Sequence, residues 1–163
     1  MSNELSGLIT NRTAADYDRW KTLRDKGYPN MTAAEKAEWN SAAMKGCYNA
    51  GDLNRVGAAL NYVRGRLAAA GYIAAGVFTA RTDWALGDIP TAADLSYYLG
   101  CVAAVRQALA LYAATPPAPA DRGALNFGEA NDIEKIILDA DELLTNMLAA
   151  RHFCGELYSG EVI

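Results

Sequence analysis

Apolar residues in this chain recur mostly at three- and four-residue intervals, the period that gathers them on one side of a helix. The longest such pattern lies within 126–153, with Ile133, Ile136, Ile137, Ala140, Leu143, Leu144, Met147 and Leu148 in one stripe. Asn126 stands where an N-cap belongs, and Glu129, three residues on, can reach back to the cap's N–H. Arg151 and His152 fall at the negative end of that helix's dipole. A second stripe, Leu53, Val56, Leu60, Val63 and Leu67, predicts a helix over 52–70 opening on Asp52. A third, Leu95, Tyr98, Leu99, Val102, Val105 and Leu109, predicts a helix over 91–113 started by Thr91 with Asp94. Two shorter helices come first, opened by Thr13 with Asp16 and by Thr32 with Glu35. Tyr17, Trp20 and Leu23 share a face of the first, and Trp39 anchors the second. Gly27 and Pro29 separate them, so 12–46 reads as an αα-hairpin.

Elsewhere the helical period fails. Residues 1–11 read as a flexible arm, with Leu8 and Ile9 available to staple the first helix. Within 71–84, Tyr72, Ile73, Val77 and Phe78 predict a short strand or an extended crossing segment. Pro116, Pro117 and Pro119 make 115–121 a stiff, extended connector. Residues 154–163 form an extended tail, either frayed or a strand pairing with 72–79 or with a neighbouring chain. The whole is one all-α domain: a bundle of three long helices plus a short N-terminal helical hairpin, with a minor extended or β segment. Gly57, Asn61 and Gly65 lie four residues apart on one helix. Two readings stay open for that stripe, a second helix packed over the small residues or a contact face for another subunit.

Composition sharpens this picture. A chain of 163 residues supports one domain with a real core, and a mean hydropathy of −0.05 fits a soluble helical protein. Charge is unevenly spread. Residues 1–71 carry ten Lys/Arg against seven Asp/Glu, 72–124 three against four, and 125–163 two against eight. A basic front and an acidic back attract each other within a subunit or between subunits. No basic stripe is long enough to replace the counterions of a nucleic acid. Cys47, Cys101 and Cys154 are odd in number and far apart, which fits free thiols in a reducing compartment. The longest apolar run, 67–78, is broken by Gly71 and Gly76 and is too short to span a bilayer. No signal-peptide core follows the N-terminus.

Candidate chemistry is sparse. His152 and Cys154 are the minimum for thiol catalysis, but a last-turn histidine on the helix dipole explains the first more simply. Three cysteines more than fifty residues apart do not make paired zinc ligands. Glu129, Asp132, Glu134, Asp139, Asp141 and Glu142 lack the Glu-x-x-His partners of a di-metal bundle and read as a solvated face. Asn54, Arg55, Arg106, Asn131 and Asp132 sit beside core positions. Arg55 or Arg106 paired with Asp132 would join three helices. No phosphate loop, dinucleotide turn, nucleophile elbow or metalloprotease motif is present, so no enzyme, cofactor or metal is expected.

Several stretches, in order along most of the chain, carry a resemblance. They are Ile9-Thr10-Asn11-Arg12-Thr13-Ala14-Ala15-Asp16, Met31-Thr32-Ala33-Ala34-Glu35 and Tyr48-Asn49-Ala50-Gly51-Asp52-Leu53-Asn54-Arg55-Val56-Gly57. Further on come Thr82-Asp83-Trp84, Asp88-Ile89-Pro90-Thr91, Glu129-Ala130-Asn131-Asp132-Ile133-Glu134-Lys135-Ile136 and Gly155-Glu156-Leu157-Tyr158-Ser159-Gly160-Glu161. The chain resembles a family of small proteins encoded by phages and prophages of Gram-positive gut bacteria, near their tail genes. The resemblance implies a structural or adaptor protein of the tail region, folded in host cytoplasm during assembly and carried in the virion. Its partners would be other tail proteins or itself. It brings no catalytic residues.

Trp84, Asp88, Pro90, Leu157, Tyr158 and Val162 are the expected interface residues. Trp84 capping the core and Pro90 setting up the next helix is the plainer account of those two. Two rival roles remain, a host-surface binding module using Tyr72, Phe78 and Trp84, and a phage-encoded protein acting on host machinery in the cytoplasm.

Overall fold

Among the described residues, every α-helix begins in the same local chemistry. The computed structural model describes residues 3–41, 44–85, 87–120 and 125–155, with the side chains of 151–155 outside that description. Five α-helices follow in order: α1 (Ala14–Lys26), α2 (Ala33–Trp39), α3 (Ala50–Ala69), α4 (Ala92–Ala108) and α5 (Phe127–Gly155). In α1 to α4 a cap side chain accepts the N–H three residues on, and the carboxylate there accepts the cap's own N–H. The pairs are Thr13 with Asp16, Thr32 with Glu35, Asn49 with Asp52, and Thr91 with Asp94. Asn126 and Glu129 make the same reciprocal pair at 2.9 Å before α5. Asp52 is therefore the carboxylate of a box and not the cap. Asn49 is the cap, and α3 starts at Ala50.

The all-helical expectation is what the structure shows, and no strand occurs among the described residues. Two helices end earlier than their stripes predict. α2 stops at Trp39, and α4 stops at Ala108 because Leu109 is extended (φ −132°, ψ 154°) and buried. Helix propensity differs little among such residues, and packing decides.

α3, α4 and α5 each pack on the other two, while α1 packs on α2. Val56, Leu60, Val63 and Leu67 of α3 meet Leu99, Val102 and Val105 of α4, and Ile133, Ile136, Ile137, Ala140 and Leu144 of α5. These side chains are buried. Asp52 and Arg55, early in α3, lie beside Glu134, early in α5, whereas Arg66, late in α3, reaches Asp141 and Thr145. Tyr98 in the first half of α4 meets Tyr48, just before α3. The three long helices thus run in one direction, and the connectors must run back.

The first return explains the glycine stripe. As the connector climbs from Phe78 to Trp84, its partners descend α3. Arg64 donates to the Phe78 carbonyl at 2.6 Å. Asn61 brackets Ala80, accepting its N–H and donating to its C=O, both at 2.8 Å. Asn54 does the same to Trp84 at 2.7 and 2.9 Å. The backbone groups that a strand would pair with another strand are satisfied here by amide side chains, so of the two expected forms the strand does not occur and the segment crosses α3 without one. Gly57 lies between the two asparagines, and a Cβ there would stand 2.3 Å from the Arg81 carbonyl oxygen. Neither expected occupant, a helix or a subunit, covers Gly57; the connector backbone does. Gly65 has open space around its missing Cβ.

The N-terminal arm is also pinned where freedom was expected. Leu5 is buried, Leu8 packs on the core, and the Ile9 N–H donates to the Glu134 carboxylate. Asn131 brackets Arg12 as the other asparagines bracket the connector, with both bonds 2.9 Å. No helix among the described residues is long and apolar enough to cross a membrane.

Candidate binding cleft

Stretches distant in sequence meet where the three long helices begin. Trp20 comes from α1, residues 46–48 from the loop before α3, and Leu53 from the first turn of α3. Trp84, Pro90 and Thr91 come from the end of the first connector, Ala92, Asp94, Leu95 and Tyr98 from α4, and Leu125 from the approach to α5. They line an open cavity of about 360 Å³ whose walls are mostly aromatic and aliphatic. Such a cavity, with few polar groups, is the ordinary form of a binding site.

The floor is built on a tyrosine pair. The Tyr48 and Tyr98 hydroxyls are 2.8 Å apart, and their rings meet edge to face at 6.2 Å. Burial pushes both phenols well above their ordinary value, so they act as neutral hydrogen-bonding groups. Beneath Tyr48 lies the Arg12 guanidinium, 5.2 Å from the ring centroid. Arg12 pairs with Asp52 at 3.1 Å and Glu134 at 2.7 Å, and Arg55 adds contacts to the same two carboxylates. Two cations and two anions balance. The side chains of Arg12, Asp52 and Glu134 are at most 1% exposed, so the network is sealed from solvent on three of its members. Burial pushes Glu134 above the usual carboxylate range, opposed by the Ile9 N–H and then by Arg12 and Arg55.

The titratable groups facing the cavity are poorly suited to proton or electron-pair chemistry. Burial, with Asp52 nearby, pushes the Cys47 thiol up to about 11, which leaves it protonated. The Asp94 carboxylate accepts both the hydroxyl and the N–H of Thr91, and these hold it below its ordinary value. What the cavity offers is apolar area with a polar floor.

Of the expected interface residues, Trp84 and Pro90 line this cleft together. Asp88 lies beside it in a supporting position. Arg81 stacks 4.0 Å above the Trp84 ring, and Asp88 holds Arg81 at 2.7 Å while accepting the Ala85 N–H. Ile89, between them in sequence, is 87% exposed. Leu157, Tyr158 and Val162 lie outside the described residues, as do the side chains of His152 and Cys154. Trp20, Tyr98 and Leu95 carried only a core-face reading in sequence, and Tyr48 and Arg12 carried none. The first four line the cleft and Arg12 lies beneath Tyr48, all through long-range packing that no spacing records.

Other expectations need correction. Arg55 goes to Asp52 and Glu134 and not to Asp132, while Arg106 donates to the carbonyls of Pro116 and Thr115. The acidic face of α5 is not wholly solvated. Glu134 is fully buried, Asp139 is buried against Thr115 and Lys135, and Asp141 pairs with Arg66. Phe78 is a core residue and Trp84 a cleft residue, so with the exposed Tyr72 they do not make a surface aromatic cluster. Among the described residues no three His, Cys, Asp or Glu side chains gather closely enough to hold a metal ion. No protein-family model, curated protein or solved structure matches the chain.

Proposed function

We propose that this protein is a non-enzymatic structural or adaptor component of a phage tail, acting through protein contacts. In this reading a three-helix bundle with a short N-terminal helical hairpin presents the cleft at one end. The observation that carries the contact role is the aromatic cleft itself, apolar, open and bordered by the exposed Ile89 and by Pro90. An apolar hollow with an exposed aliphatic rim suits a side-chain anchor from a partner protein. The tail assignment is supported by the ordered sequence resemblance. Virion location, with host cytoplasm as the place of assembly, belongs to the same proposal.

The test is to tag the chain in a producing prophage host and purify particles. Co-purification of the protein with tails at a fixed ratio supports the reading. A protein left entirely in the cytosolic fraction overturns it, and favours a role on host machinery inside the cell.

A further inference from the structure

The cleft is mostly apolar, and residues 156–163 of the chain are rich in apolar side chains. We propose that residues 156–163 of one copy dock in the cleft of another, joining subunits head to tail. This rests on the reading of the cleft as a protein-contact site.

Reach excludes the copy's own cleft. The cavity lies beside Leu125 at the start of α5, and Gly155 stands at the far end of that 29-residue helix. At about 1.5 Å per residue the separation is on the order of 43 Å. Eight extended residues span at most about 29 Å. A second molecule removes the constraint.

Composition fits the cleft. Leu157, Tyr158, Val162 and Ile163 supply apolar anchors on both sides of Ser159-Gly160, sized for a hollow of about 360 Å³. Exposed Ile89 extends the apolar rim. A donor segment on one end and an acceptor on the other form a heterologous interface, which closes into a ring or grows as a filament according to its rotation.

The experiment uses full-length chains and light scattering behind size exclusion. One variant carries Leu157→Asp with Val162→Asp, disabling the donor. A second carries Ala92→Glu, which places bulk and negative charge at an exposed position in the cleft wall. The parent chain is expected to be an oligomer, and each variant a monomer near 17.4 kDa with unchanged far-ultraviolet circular dichroism. Mixed, the two variants should pair one to one, because each retains the half that the other lacks.

A synthetic peptide of residues 156–163 should dissociate the parent oligomer and saturably shift tryptophan emission, with Trp20 and Trp84 in the cleft wall. A monomeric parent overturns the proposal. So does an oligomer that survives both variants, or a mixture that stays monomeric. If Ala92→Glu does not fold, the peptide decides, and no competition by it overturns the assignment. Such a failure leaves the tail proposal standing, because that is judged by particle association.

Discussion

The N-terminal hairpin and the three long helices are held by different forces. Among the described residues of the hairpin only Leu23 and Met31 are buried hydrophobics, and the ion pairs Arg19–Glu38 and Lys26–Glu35 lie at the surface. Such pairs contribute little, and capping boxes supply local order. The long helices bury a continuous aliphatic core and, at one end, a four-member ionic network sealed from water on three of its members. The first region should open locally, whereas the second should yield only in global unfolding.

The largest effect should come from breaking the network one-sidedly. Arg12→Met leaves the Glu134 carboxylate short of a cation in the interior and is expected to cost about 3–5 kcal/mol in urea unfolding. Adding Glu134→Leu should restore most of that loss. A double variant as weak as the single one would locate the importance of Arg12 elsewhere. The glycine pair sharpens the comparison within α3. Gly57→Ala pushes a methyl into the Arg81 carbonyl and should destabilise by about 1–3 kcal/mol. Gly65→Ala meets open space and should stabilise by up to about 1 kcal/mol.

In the hairpin, Thr32→Ala removes one cap. It should cost about 1 kcal/mol, read as faster hydrogen exchange in α2 with little change in the global melt. The smallest effect is that of pH. The Lys26 ammonium, then the Thr32 N–H, hold Glu35 down at about 2, below its unfolded value of 4.5. A depressed folded value stabilises above the unfolded one, and that support fades as pH falls from 4.5 toward 2. Hairpin exchange should accelerate over that window, and Glu35→Gln should remove part of the slope.

These contrasts also say what could be read from the chain. Four of the five boxes were legible because both partners lie three residues apart and the chemistry is local. At the fifth, Asn49 and Asp52 are both cap-type residues, and only the fold decides which of them caps. The strand expectation failed for a tertiary reason, since Asn54 and Asn61 satisfy the connector from the side. Trp84 and Pro90 were found, but the cleft was not. It forms only when Trp20, Tyr48, Tyr98 and Leu125 arrive from separate elements. Arg12 had no local signature because its partners stand 40 and 122 residues away.

The contact between Ile9 and Glu134 spans 125 residues, and this sets an order of events during synthesis. A ribosome releases the front of the chain first. Arg12 can find Asp52 early, but Glu134 follows about 80 residues later, several seconds at ordinary elongation rates of roughly 5–20 residues per second. Until then the Ile9 amide lacks its acceptor and the return connectors lack a third helix to lie against. The nascent chain must wait for α5, so fragments ending before it should not hold the native arrangement.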